Sequence, residues 1–307
     1  MDTYVEPLII SHTSALELYR LMRRAHAPRG SLNPARAAAL VESLEKPLHL
    51  LEQGRSHGLV AKERVVHGCP WGLPAEELLK VAPGIAVVSP ELCLVQLARK
   101  AAAPCLVALA MEFCGTYAHD PRDKTTAYGM QPLTDLARID DSLGRLGGWS
   151  GVNRLRKARP WVGECSASPG ETILYELLCL PTRWGGAGLS APELNHRLPL
   201  KDGRKLYEAQ SMVPDLYWAE SALAVEYDGE EYHSGFNKNV KKAARDNAAS
   251  DLGLTVFTVT KVQLGDISYI DSLCNAISKK LTGRVLSIRV RDYAEKRSQL
   301  HGMLPGM

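Results

Sequence analysis

Ala222-Leu-Ala-Val-Glu226-Tyr-Asp228-Gly229 decides how this chain is read. As a strand its side chains alternate, with Leu223, Val225 and Tyr227 on one side and Ala224, Glu226 and Asp228 on the other. An otherwise apolar strand therefore ends with two carboxylates on one face. Like charges at that spacing repel, and burial sharpens the repulsion. A hard divalent cation relieves it, because Mg²⁺ takes carboxylate oxygens. The preceding run, Pro214-Asp215-Leu-Tyr-Trp218, reads as a second strand. The tight connection at Ala219–Ser221 makes the two an antiparallel pair and brings Asp215 near Glu226.

Outward from this pair the pattern stays regular. Ser168-Pro169-Gly170-Glu171 reads as a helix start, with Ser168 as N-cap and Pro169 at the first helical position. Strand-like runs cover 196–200 and 206–212, and Asp202-Gly203 between them signals a hairpin. A basic helix is expected over 237–252, a β-rich strand over 254–260 and a helix over 269–281. Strands followed by helix, strand and helix predict an α/β/α core with a mixed sheet over 166–285, then a C-terminal helix or tail over 286–307.

The first half reads as a mostly helical domain over 1–130. Its helices lie at 14–24, after Pro34, after Ser89-Pro90 and over 104–113, with an extended stretch at 84–88 and a turn-rich loop at 115–131. A helical linker is expected over 131–165. There Arg154, Arg156, Lys157 and Arg159 form either a solvated helix face or a phosphate-contacting one.

Composition bounds the function classes. The 307 residues are 45% hydrophobic and 23% charged, with a net charge of +3, a mildly basic balance that permits nucleic-acid binding without requiring it. The first residues show no signal-peptide pattern. No apolar run reaches the roughly 20 residues a membrane helix needs. The seven cysteines contain no CxxC pair, so neither a zinc site built on cysteines nor a disulfide framework is indicated, and a reducing cytoplasm is expected.

The ordered set Glu171, Asp215, Glu226-Tyr227-Asp228-Gly229, His233 and Arg245-Asp246, followed by a β-rich strand, resembles the PD-(D/E)XK nuclease core. The closer resemblance is to the branch related to very-short-patch-repair endonucleases. It implies a restriction-endonuclease-like fold and a Mg²⁺- or Mn²⁺-dependent endonuclease acting on duplex, mismatched or nicked DNA. It also implies a metal held by Asp215, Glu226 and the Tyr227 carbonyl. Glu171, Asp228 and His233 would complete the catalytic set, and Arg245, Lys241 and Lys242 would contact the substrate. Asp228 stands where the founding motif places a lysine, so the water-activating group is His233 or one of Lys238, Lys241 and Lys242. Residues 8–115 are similar to the regulator half of abortive-infection antitoxins, on Ile10-Ser-His-Thr-Ser-Ala-Leu16 and Ile85-Ala-Val-Val-Ser-Pro-Glu91. This implies a defence or mobile-element setting and a protein partner for the first half. The alternative is a DNA-binding regulator with a degenerate nuclease fold.

Local roles compete at each position. Glu171 lies three residues after Ser168, as in a capping box. Asp228-Gly229 also fits a turn, His233 an idle surface site, and Asp246 a solvated helix.

Overall fold

Helix starts follow the local chemistry. Ser89 Oγ accepts from the Leu92 amide and Ser168 Oγ from the Glu171 amide, each with proline at the first helical position, where no amide hydrogen is needed. The computed structural model describes residues 7–25, 33–55, 58–69, 72–200, 211–229 and 236–303, with backbone only for 236–242 and 303. The chain divides into two units, Met1–Val162 and Gly163–Met307.

In the first unit the order is β1 (Leu8–Ile10), α1 (His12–Arg24), α2 (Pro34–Glu42), β2 (Leu48–Gln53), β3 (Leu59–Val60), β4 (Arg64–Cys69), β5 (Leu78–Ala82) and β6 (Ile85–Val88). Then come α3 (Pro90–Leu97), α4 (Ala103–Cys114), β7 (Tyr117–Asp120), β8 (Thr125–Tyr128), α5 (Leu136–Arg145) and α6 (Val152–Ala158). One mixed sheet has the order β3-β4-β2-β1-β6-β5, with β1 parallel to β6 and β2 parallel to β4. Helices α3 and α4 are buried along nearly their whole length and form the heart of this unit's core.

This sheet corrects the mostly helical expectation for 1–130. Strands Leu-His-Leu-Leu-Glu-Gln and Arg-Val-Val-His-Gly-Cys carry polar residues on both faces, so no clean apolar alternation marks them, although Pro47 and Gly54 bracket the first. Strand β2 pairs with β1 over a long sequence distance, which periodicity alone does not report. The turn-rich 115–131 holds the β7–β8 hairpin. The segment read as a linker carries α5 and α6, and Ile139, Leu143, Val152 and Leu155 are buried there against α3 and α4. The arginine cluster is largely committed internally. Arg154 caps the Arg99 and Ala101 carbonyls, Arg156 reaches the Leu143 carbonyl, and Arg159 pairs with Asp140. That use favours the structural reading of the cluster over phosphate contact.

The second unit runs α7 (Pro169–Cys179), β9 (Glu193–Leu194), β10 (Leu198–Pro199), β11 (Ser211–Met212), β12 (Leu216–Trp218), β13 (Leu223–Asp228), α8 (Phe236–Asp251), β14 (Thr255–Thr260), α9 (Lys261–Leu264), α10 (Ile267–Thr282) and α11 (Tyr293–Met303). Its four-stranded sheet has the order β14-β13-β12-β9. β9, β12 and β13 form an antiparallel meander, and β14 lies parallel to β13, as the crossover through α8 requires. β10 and β11 pair separately; the Asp202-Gly203 turn between them lies outside the described residues. The α/β class therefore holds in both units.

Helix α11 is no peripheral tail. Arg297, 2% exposed, donates to the Leu177 carbonyl at 2.7 Å, the Gly185 carbonyl at 3.1 Å and Asp271 Oδ1 at 3.0 Å. The α11 backbone comes so close that a Cβ at Gly185 (φ +93°) would stand 2.3 Å from the Lys296 carbonyl oxygen. Truncating Arg297 leaves desolvated carbonyls behind, which costs more than the bonds are worth. Arg297→Ala is expected to lower unfolding stability by about 3 kcal/mol in denaturant melts, whereas the exposed Arg289→Ala leaves it unchanged.

Candidate functional site

The β12–β13 register pairs Leu216 with Val225 and Tyr217 with Ala224, which places Asp215, one residue before β12, opposite Glu226. Asp215 Oδ2 accepts the Tyr227 amide at 2.7 Å, so the carboxylate is held against the end of β13. Glu226, on the expected face of that strand, is 8% exposed. Its Oε1 has no hydrogen-bond partner among the described residues, and its Oε2 lies 3.4 Å from an Arg245 guanidinium nitrogen. Arg245 is itself exposed on α8, as is Asp246.

Glu171 enters from the first turn of α7 and is 6% exposed. Its amide donates to Ser168 Oγ, but its carboxylate accepts from the Ala167 amide at 2.9 Å and from Asn195 Nδ2 at 2.7 Å. The local cap is thus only half of the reciprocal box, and the carboxylate is set by residues outside the helix.

Asn195 is the residue that sequence reasoning missed. Its side chain also donates to the Cys165 carbonyl and its amide to the Asp215 carbonyl, so one residue ties the Glu171 and Asp215 segments together. It takes φ +49° just after β9. Asparagine tolerates that left-handed region better than most residues, and this tolerance was the available signal. The approach of α7 to β13 is equally tight. A Cβ at Gly170 would fall 2.0 Å from a Tyr227 ring carbon, so any larger residue there would have to displace that ring.

Electrostatics follow from this crowding. Burial pushes the Asp215 carboxyl up to about 7, helped by the Glu171 and Glu226 charges and opposed by the Tyr227 amide and Arg245. Burial also raises Glu226; Arg245 opposes this, while Asp246 and Asp228 add to it. Of the expected site residues, Glu171, Asp215, Glu226, Tyr227 and Arg245 come together, and half-buried Asp228 ends the same strand face. His233 lies outside the described residues, as do the side chains of Lys238, Lys241 and Lys242 on α8. Comparison with protein-family models, curated proteins and solved structures finds no match.

The raised carboxyl has a measurable consequence. Asp215 moves from 3.8 to about 7 on folding, so the folded protein holds an extra proton between those values. Its contribution to stability is fully present below the unfolded value and is lost as pH rises through about 7, by about 4 kcal/mol. Denaturant melts of the metal-free protein at about pH 5 and pH 8 should show the part of this loss that falls between them, about 3 kcal/mol, and Asp215→Asn should flatten it. An unchanged slope in the variant would contradict the assignment.

Proposed function

We propose that the second unit is a metal-dependent nuclease domain of the PD-(D/E)XK kind, hydrolysing DNA phosphodiesters with Mg²⁺ or Mn²⁺. The observation that carries this reading is a buried carboxylate oxygen without a partner among the described residues, Glu226 Oε1, on the residue opposite a second carboxyl, Asp215, that burial holds partly protonated. Such a pair fits a hard cation, which replaces the proton and supplies the missing partner. The order helix, three-stranded meander, crossover helix and parallel strand supports the same reading.

In this reading Asp215 and Glu226 hold the cation together with the Tyr227 carbonyl. Bound there, it would acidify a water molecule and neutralise charge gathering on the phosphorus. Glu171 is fixed by the Ala167 amide and Asn195 and orients that water or completes the carboxylate shell. Arg245 leaves Glu226 for a phosphate oxygen, where a guanidinium binds in two-pronged fashion. His233 or a lysine of α8 takes the proton. The first unit would contact DNA or a protein partner, and the setting is a cytoplasmic one in bacterial defence or mobile elements. Among the described residues no helix is long and apolar enough to cross a membrane.

One observation favours the alternative, a DNA-binding protein with a degenerate nuclease site. Arg245 already offsets part of the Glu226 charge without any metal. Incubating the full-length protein with plasmid and mismatched duplexes in Mg²⁺ or Mn²⁺ separates the two. Nuclease function predicts cleavage that is lost in Glu226→Ala and reduced about 10–100-fold in Asn195→Ala, which frees Glu171. Duplex binding with equal background cleavage in all three proteins would establish the alternative.

A further inference from the structure

The first unit brings together three histidines that no local spacing connects. His49 and His67 lie on the parallel neighbours β2 and β4; the register pairs Leu51 with His67, so the two side chains sit diagonally on one face of the sheet. His12 opens α1 directly above them, because the Ser11 amide donates to the His49 carbonyl at 2.9 Å. His49 Nδ1 stands 2.9 Å from His67 Nε2, and the His12 and His67 rings stack with centroids 3.6 Å apart. One ring nitrogen from each of the three lies within 4.8 Å of the others.

We propose that His12, His49 and His67 form a zinc site whose fourth position opens into the adjoining cavity and takes a small anion. Three imidazoles with no carboxylate among them suit Zn²⁺ rather than Mg²⁺. A tetrahedral Zn²⁺ with nitrogens at 2.0–2.1 Å requires ligand atoms about 3.3 Å apart, and the present ring nitrogens lie within 4.8 Å of one another. In the tautomer that donates Nδ1–H to Ser11 Oγ at 3.0 Å, His12 Nε2 carries the lone pair a metal needs. Burial first, then the neighbouring imidazoles and the Arg99 and Lys100 charges, hold His67 down to about 4 and His12 to about 2, so both rings are neutral near pH 7.

Two further features point to a ligand. His12 holds φ +52°, a conformation a non-glycine residue keeps only when its surroundings enforce it, and its amide is fixed by Gln96 Oε1 at 2.8 Å. Gln96 lines the cavity and is 5% exposed, and its buried Nε2 has no hydrogen-bond partner among the described residues. That cavity, about 500 Å³, is bounded by His12, His67, Gln96, Arg99, Trp149 and Ser150. A cation held by three neutral ligands beside Arg99 leaves uncompensated positive charge. The fourth ligand is therefore anionic, with Arg99 as its partner.

The full-length protein, stripped with chelator and dialysed against Zn²⁺, should retain one equivalent by elemental analysis. Co²⁺ in its place should give intense tetrahedral visible bands that shift when azide is added. His67→Gln and His12→Asn, the latter chosen because asparagine tolerates the left-handed conformation, should each bind at least about 100-fold more weakly while keeping the wild-type melting profile. Arg99→Gln should keep the metal and weaken the azide response, and Glu226→Ala should retain zinc in full. No retained zinc in the wild type, or equal retention in a folded histidine variant, would overturn the site. Cobalt bands that azide leaves unmoved would overturn the open anionic position.

Discussion

Three carboxylates, buried Glu171 and Glu226 and half-buried Asp215, are confined where the start of α7 meets the adjacent ends of β12 and β13. Like charges in such a place keep a proton, attract an arginine or recruit a metal ion. Each of these answers bears on this corner. Asp215 is raised toward neutrality, Arg245 reaches partway to Glu226, and one Glu226 oxygen stays unsatisfied. The surrounding structure exists to maintain the crowding. Gly170 permits the close approach of α7, the Tyr227 amide pins Asp215, and Asn195 pins Glu171. Without those supports the carboxylates would turn to solvent and the conflict would vanish.

The support extends to the far side of the second unit. Arg297 on α11 spends its buried guanidinium on the carbonyls of Leu177 and Gly185, at the end of α7 and in the loop after it. Helix α7 is therefore set at its start by Ser168 and at its end by α11, and Glu171 inherits that placement. Holding the scaffold rigid in this way keeps a strained charge arrangement from relaxing.

Much of the second unit was legible because its signals are local. Ser168-Pro169, the alternation through Glu226 and Asp228, and the β-branched run 255–260 each announce their element within a few residues. The first unit was legible in its helices and in the extended stretch that forms β6. Strand β2 pairs with β1 across a long stretch of chain, and the polar residues of β2 and β4 disguise the alternation. For the same reason Asn195 and the histidine cluster escape a sequence reading that names the carboxylates, Tyr227, His233, Arg245 and the α8 lysines. Asn195 acts through a backbone conformation, and His12, His49 and His67 become neighbours only when α1 is laid over the sheet.

The central claim is that Asp215 and Glu226 form a site for a hard divalent cation. Calorimetric titration with Mg²⁺ tests it most directly, because Mg²⁺ takes oxygen ligands and passes over the imidazole cluster of the first unit. The account predicts saturable binding to the wild-type protein, abolished in Asp215→Asn and Glu226→Gln and preserved in His67→Gln. Absence of Mg²⁺ binding in the wild type, or equal binding in the two carboxylate variants, would contradict it.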